Sequence, residues 1–552
     1  MAEVRRTFRG QSCMFPGWLF VSLVGLVSAL ALSACGNLRA GPTVTPTQMV
    51  FATPMGEIVD GVRLTAPVHT WDGYGEAVDV RGDVLVIGAN DGNHYGPGSA
   101  YVYRFLGGAW QPEAQLTASD RNEGQGFGGS VALGEGIIAI GAPGNTYPKA
   151  KGYPSAVYVF EYGGQNWVET AKLMPAPSDQ DTDPEAADWL RERMRRNAFG
   201  ALVAADGDTV AVGGDMTADS VYVFQRGEDG WHEQARLPIP GSPGRELYVG
   251  SLALFGDTLA LSALYVTPES EQAPFLTANV IVYVFERVGR TWEESFQFAP
   301  DGGQLDYVFP YELNVGASVA LGGSSGQAKR LAVGLPGFPD LSGVQGAQGV
   351  RLWGARDIPE IPESRREYGS VYILERGANG GWSQQVTLLP AGWDNPPGPG
   401  SFLSDSSSAG TPLQTPPPPT LGPTSSPDSL SATSEAQGSA ATAAAMASFV
   451  FPGGVYSENP EISFFGATVD LDENLLAVTA GYANATYVFE RQGQDWVYRF
   501  RIAPRPEEPG LWEDFAQVVT ISGDTVLLGT PGEFGNSAYV FDLCVQPSGI
   551  CR

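Results

Sequence analysis

From Ile58 onward the chain alternates short apolar runs with glycine-rich turns. The stretch FGALVAADGDTVAVGGDMTADSVYVFQRGEDGWHEQARL, Phe199 to Leu237, shows the pattern most fully. Apolar and polar residues alternate with a period of two over five to eight positions. Gly-Asp or similar pairs then break each run. That period predicts half-buried β-strands rather than helices. Each such stretch reads as four short strands joined by tight turns.

The stretch recurs seven times. A Tyr-Val-Phe landmark, or a close variant, begins at Tyr101, Tyr158, Tyr222, Tyr283, Tyr372, Tyr487 and Tyr539. Trp110, Trp167, Trp231, Trp292 and Trp496 each follow their Tyr by nine residues, and Trp382 follows by ten. A glycine opens six copies, at Gly75, Gly128, Gly200, Gly250, Gly316 and Gly466, with Ala516 in the seventh. Thirteen residues later stand Gly88, Gly141, Gly213, Thr479 and Gly529 in the five copies that share the spacing.

A twisted four-stranded sheet cannot cover both of its own faces. Seven of them set radially can, so the chain is expected to be all-β and to form a seven-bladed β-propeller of four-stranded blades. The seventh copy lacks a Trp strand. Ile58-Val-Asp-Gly-Val-Arg-Leu64 matches Trp167-Val-Glu-Thr-Ala-Lys-Leu173, with Ile58 at the Trp place. The N-terminal strand is therefore expected to complete the last blade and close the ring. The Trp residues are read as blade-packing groups. Residues 394–448, rich in Pro, Ser, Thr and Ala, interrupt the spacing as an insertion of disordered composition between the fifth and sixth copies. Loops at 335–367 and 174–196 are the long connections, and a ligand is expected there if anywhere.

These landmarks resemble the FG-GAP repeats of integrin α-subunits and many bacterial surface proteins; Phe127-Gly128 and Gly141-Ala142-Pro143 nearly spell the name. The resemblance covers roughly residues 57–543. It implies a propeller used in adhesion, ligand binding or, occasionally, catalysis. It also implies calcium as the candidate cofactor, since many members carry D-x-D-x-D-G loops. Asp179-Gln-Asp181-Thr-Asp183-Pro-Glu185 is the nearest match, offering hard oxygen ligands of the type calcium takes. Pro184 replaces the turn glycine there, and an acidic solvated loop is the alternative reading.

Arg5, Arg6 and Arg9 precede an apolar run from Trp18 to Leu32, which is too short to span a bilayer and suits a signal sequence. The run ends in Leu32-Ser33-Ala34-Cys35-Gly36, which resembles a bacterial lipobox. That resemblance implies a signal peptide over 1–34, lipid on Cys35, and an exported protein held at the bacterial cell envelope. An ordinary signal peptide or an uncleaved anchor beside a chance cysteine is the alternative. Residues 35–56, rich in Pro and Thr, read as a membrane tether. Cys544 and Cys551 are then the pair left for a disulfide at the C-terminus, worth roughly 2–3 kcal/mol by the chain-entropy argument, or else two free thiols.

Acidic residues outnumber basic ones 61 to 32, giving a net charge of −29. Phosphate neutralisation needs clustered Lys and Arg, so nucleic acid is excluded as the main partner. Arg81-Gly82-Asp83 is the integrin-binding tripeptide, yet it occupies the turn that reads Gly-Asp-Thr at 207–209, 256–258 and 523–525. A hairpin turn is the simpler reading. Gly322-Gly-Ser324-Ser-Gly326 fits the serine-nucleophile pattern but lies in an all-β copy rather than between strand and helix. His69, His94 and His232 fall in unrelated places, so no catalytic residue is assigned. The expected function is binding of a surface protein or glycan by a monomeric, lipid-anchored propeller. A polysaccharide-acting enzyme with acids from several blades, or a scaffold within an envelope complex, are the alternatives. An enzyme would need two carboxyls in a cleft at glycosidase separation.

Overall fold

The computed structural model describes residues 61–66, 73–90, 96–144, 155–175, 199–214, 220–241, 246–267, 277–300, 317–324, 326–336, 369–388, 465–480, 485–503, 516–531 and 536–544, with short strands at 48–50, 57–58 and 304–306. The seven repeats are the seven blades of a β-propeller, all within the unit Thr47–Arg552. Each blade is an antiparallel meander running from the axis outwards. Blade one is Tyr74–Arg81, Val84–Ala89, Ser99–Leu106 and Ala109–Leu116; blade two is Ser130–Leu133, Ile137–Ala142, Ala156–Tyr162 and Trp167–Leu173. Blade three is Leu202–Asp206, Thr209–Gly213, Ser220–Gly227 and Gly230–Pro238; blade four is Glu246–Phe255, Thr258–Thr267, Thr277–Val288 and Thr291–Phe298. Blade five is Ser318–Ser324, Gln327–Leu335, Ser370–Arg376 and Trp382–Leu388; blade six is Phe465–Asp472, Leu475–Ala480, Ala485–Gln492 and Asp495–Ile502. The innermost strands adjoin one another in chain order, and that of blade seven, Val518–Ser522, returns to that of blade one.

Blade seven continues with Thr525–Thr530 and Ser537–Asp542 and is completed by Val62–Thr65, paired antiparallel with Ser537–Val540. Leu64 stands opposite Ala538, as Leu173 stands opposite Val157, so the ring closes in the expected register. The match does not extend back to Ile58. Glu57–Ile58 instead runs parallel to Arg501–Ile502 on the outer edge of blade six. Gln48–Val50, expected within the tether, pairs in parallel with Val386–Leu388 on the outer edge of blade five. The physical reason is the same for both: the outermost strand of a blade has unpaired N–H and C=O groups, and an extended segment passing it satisfies them. The 394–448 insertion and the 1–34 segment lie outside the described residues.

Seven apolar clusters hold the ring, one at each junction between successive blades. In blades one, two, three and six the aromatic that precedes the opening glycine stacks on the landmark Tyr of its own blade. Phe127 meets Tyr158 with ring centroids 5.5 Å apart, Phe199 meets Tyr222 at 5.4 Å and Phe465 meets Tyr487 at 5.5 Å, within the favourable range for tilted and edge-on pairs. Each Trp packs on the cluster it shares with the preceding blade; Trp292, Trp382 and Trp496 are buried there. Trp167 and Trp292 donate their indole N–H to Glu113 and Gln234 of the preceding blade. The blade-packing role expected for the Trp residues is what the structure has.

The two repeat glycines explain each other. A Cβ on Gly141 would lie 1.9 Å from the Gly200 carbonyl oxygen; one on Gly88 would lie 2.1 Å from that of Gly128, and one on Gly529 2.1 Å from that of Gly75. The second glycine of one blade thus rests on the opening glycine of the next. The opening glycines of blades one, two, three and six also adopt positive φ, 94° at Gly128 and 86° at Gly200, where side chains are strained.

Candidate functional site

Where the blades meet the axis, each innermost strand leaves its inner-edge N–H groups without a strand partner, and buried amides must find acceptors. One position decides how they find them. Three residues before the inner turn stand Ala132, Ala204 and Ala253 in blades two to four, and Ala320, opposite Ala332, takes the equivalent register in blade five, whose inner hairpin is longer. The same position holds Asp470, Thr520 and Asp79 in blades six, seven and one. The three polar residues are neighbours across the closing part of the ring.

Their side chains reach forward onto the next blade. Asp470 Oδ2 accepts the Ile521 N–H at 2.7 Å, and Asp79 Oδ2 accepts the Leu133 N–H at 2.7 Å. Thr520 Oγ1 lies between the acids, 2.8 Å from Asp470 Oδ2 and 3.2 Å from Asp79 Oδ1. A second layer, next to the turn, repeats the device. Asp472 accepts the Gly523 N–H, Ser522 accepts the Gly82 N–H at 3.1 Å, and Asp206 accepts the Gly256 N–H at 2.7 Å. Arg81 belongs to this layer. It donates to the Leu133 carbonyl at 3.3 Å and to Asp206 Oδ1 at 2.6 Å.

Desolvation dominates the electrostatics. Asp79 and Asp470 are partly buried as whole residues, but their carboxyl groups are enclosed. Loss of water pushes the Asp79 pKa up to about 7, with the charge of Asp470 adding to the rise and the Leu133 and Val80 amides and Thr520 opposing it. Asp470 is raised for the same first reason, and Asp472 adds to it. Glu76, at the other end of the blade-one inner strand, is raised to about 7 by burial, with Asn90 opposing. Asn90 is itself buried, and its Oδ1 has no hydrogen-bond partner.

Residues 110–160, from the outer strand of blade one into the third strand of blade two, match the FG-GAP repeat family. The chain carries an FG-GAP repeat. No curated protein matches it. Among solved structures, this FG-GAP propeller is similar to Sqt1 of Saccharomyces cerevisiae, at 9% identity and a TM-score of 0.35, covering 89% of this chain and 99% of that one. It is similar to the periplasmic gluconolactonase PpgL of Pseudomonas aeruginosa, at 11% identity and 0.36, covering 85% and 88%. It is also similar to a chain of a mitotic checkpoint complex, at 10% identity and 0.41, covering 89% and 96%. At these identities and scores the likenesses carry no argument.

The sequence-derived candidates fare unequally on the FG-GAP propeller. Cys35 and the acidic loop of Asp179, Asp181 and Asp183 lie outside the described residues. Cys544 is disulfide-bonded, and Cys551 lies outside them. Among the described residues, no group of three or more His, Cys, Asp or Glu side chains is placed to hold a metal ion. Ser324 ends one strand of a hairpin and accepts from Lys329 Nζ at 2.5 Å, far from any nucleophile elbow. His232 is exposed and meets Asp229 at 2.8 Å. In the integrin-type tripeptide, Arg81 is held by Asp206, and Asp83 by Arg104 at 3.1 Å, with Gly82 at φ 59° forming the turn. The turn reading stands, and Arg81 has a structural task that the sequence reading did not give it.

The carboxyls at the axis were missed. Their signal was present, because counting four residues from the opening position of each copy sets Asp79, Thr520 and Asp470 against Ala132, Ala204 and Ala320. Hydrogen bonds of 2.8 and 3.2 Å through one oxygen put the two carboxyls within about 6 Å, close to the separation that retaining glycosidases use.

Proposed function

We propose that this is an exported, lipid-anchored cell-envelope protein that binds a surface protein or a glycan through the loops of its propeller, without catalysis. The observation that carries this reading is how the repeat's conspicuous chemistry is employed. The glycines touch across junctions, the Trp and Tyr rings pack between blades, and the inner acids fasten the amides of neighbouring blades. Variation is left to the connections, of which 174–201 and 336–369 separate consecutive strands most widely within blades two to five. The lipobox at Cys35 supports attachment to a membrane, and calcium at Asp179, Asp181 and Asp183 is the proposed cofactor of one such connection.

A specific observation favours a second reading, an enzyme acting on polysaccharide: the enclosed carboxyls of Asp79 and Asp470 with raised pKa values. Against it, Thr520 fills the space between them, where a glycosidic oxygen would have to lie, and both acids are fastened to main-chain amides. A pull-down separates the readings. The full chain in detergent serves as bait against solubilised envelope proteins and polysaccharides, with and without a calcium chelator. A specific partner, recovered intact, is expected. Recovery of shortened polysaccharide would establish the enzyme instead, and recovery of nothing would overturn the binding reading. A partner that survives chelation would remove calcium from the proposal. A partner that co-purifies from membranes in fixed ratio would mark a scaffold.

A further inference from the structure

Thr520 has one hydroxyl hydrogen and sits between two carboxyls. If both acids were ionised, only one of its contacts could be a hydrogen bond, and the other would set two lone pairs against each other. The remaining partners say where a proton would complete the chain. Asp470 Oδ2, the atom that faces Thr520, already takes the Ile521 N–H as well as the Thr520 hydroxyl, and Oδ1 takes the Leu471 N–H at 2.8 Å. Asp79 takes the Leu133 N–H on Oδ2, its other oxygen Oδ1 faces Thr520, and the Val80 amide also lies toward this carboxyl.

We propose that Asp79 is a protonated carboxylic acid in the folded protein, donating from Oδ1 to Thr520, which donates in turn to an ionised Asp470, so that one proton latches blade one to blades seven and six where the ring closes. The surrounding charges favour this arrangement. From blade six, Asp470 and Asp472 face the site with negative charge. The inner strand of blade two and that of blade seven carry no titratable residue, and in the second strand of blade seven there is none either. The acid of the third strand, Asp542, is that strand's last residue. On blade one itself, burial raises Glu76 to about 7, and the guanidinium of Arg81 is held by Asp206 of blade three. Among the described residues, no Lys or Arg pairs with Asp79 or Asp470. The enclosed position and raised pKa of Asp79 accord with this. The latch does not depend on whether the propeller binds or catalyses.

The linkage has a definite sign. An unfolded Asp titrates near 3.9, and folded Asp79 titrates at about 7. The folded state therefore holds one more proton between those values. The stabilisation is complete below the unfolded value and is lost as pH rises through the folded one, the unfolding constant growing about tenfold per pH unit in the window. Glu76 contributes in the same window, so the decisive quantity is a difference between two proteins. Asp79→Asn keeps a donor toward Thr520 and an acceptor toward Leu133 without needing a proton. In urea unfolding of the full chain from about pH 4 to 8, wild type is expected to lose stability with one more proton of slope than Asp79→Asn. Asp470→Asn, which puts a donor where donors already point, is expected to unfold at lower urea than Asp79→Asn throughout. Equal slopes for wild type and Asp79→Asn, or equal tolerance of the two amides, would overturn the latch. Should Asp79→Asn fail to fold, carboxyl-carbon NMR on aspartate-labelled wild type decides. One aspartate that stays protonated at about pH 6 and shifts in Thr520→Val is expected; aspartates all ionised there would overturn it.

Discussion

The inner ring has two arcs built on one backbone. In blades two to five the decisive position is alanine, and Ala204 and Ala320 sit in the apolar clusters facing the next blade. In blades six, seven and one the same position is Asp, Thr and Asp, joined by hydrogen bonds across the blades. The difference follows the chain. The four blade strands are consecutive in sequence in blades one to six, whereas blade seven, at the centre of the polar arc, is assembled from both ends of the propeller, with Val62–Thr65 supplying its outer strand. Apolar packing is non-directional and tolerates small slips. Hydrogen bonds to named amides fix register, and they stand where covalent continuity is weakest. One junction of the polar arc also lacks the glycine contact: Gly141 rests on Gly200, Gly88 on Gly128 and Gly529 on Gly75, while Thr479 and Ala516, at φ 58°, replace both glycines between blades six and seven.

The largest expected effect breaks the alanine arc. Gly141→Ala would put a methyl 1.9 Å from the Gly200 carbonyl oxygen and 2.2 Å from Ser130 Oγ. Backbone on two blades would have to move, so a loss of about 3 kcal/mol or more in denaturant unfolding is expected. Thr479→Ala at the equivalent place between blades six and seven should cost less, about 1–2 kcal/mol, because a Cβ is already accommodated there and the loss is that of the hydroxyl bonded to Thr468; an equal cost would erase the distinction. Next comes Asp470→Ala in the polar arc. It strands the Ile521 and Leu471 amides and the Thr520 hydroxyl, and about 3 kcal/mol should be lost by the same assay. Thr520→Val, nearly isosteric, removes the bridge alone and should cost about 1–2 kcal/mol. A neutral Thr520→Val would mean that the two arcs are held alike.

The sequence made the frame legible because a propeller repeats its constraints. The glycines, the Tyr-Val-Phe strands and the Trp recur since every junction poses the same packing problem, and Leu64 is recognisable by its spacing to the repeat. Ile58 and Gln48–Val50 were misplaced for the opposite reason. Edge pairing in parallel uses main-chain groups and leaves no side-chain signature. The inner acids were overlooked because they break the repeat: averaged over seven copies, the position reads alanine. A Glu following Tyr-Val-Phe and an Arg after that recur as well. Their meaning needed coordinates, because Arg226, Arg376 and Arg491 pair with Glu161, Glu286 and Glu375 of the preceding blades.

The smallest expected effect lies where the arcs meet, at Arg81. Its guanidinium donates to the Leu133 carbonyl of blade two and reaches Asp206, so blade one is tied to blade three past blade two. The side chain of Arg81 is 46% exposed and that of Asp206 14%. Solvent and salt screen such a pair, and Arg81→Ala should cost less than about 1 kcal/mol, with the difference shrinking as salt is raised. Asp206→Ala should cost more than Arg81→Ala, because Asp206 also accepts the Gly256 amide and thereby serves the junction of blades three and four. The double variant should therefore resemble Asp206→Ala alone, its coupling to Arg81 small. If Arg81→Ala instead costs as much as Asp470→Ala, the pair is shielded from water. The alanine arc would then owe its hold on blade one to a charge that only the first blade provides, and the division into apolar and polar arcs would have to be redrawn through blade three.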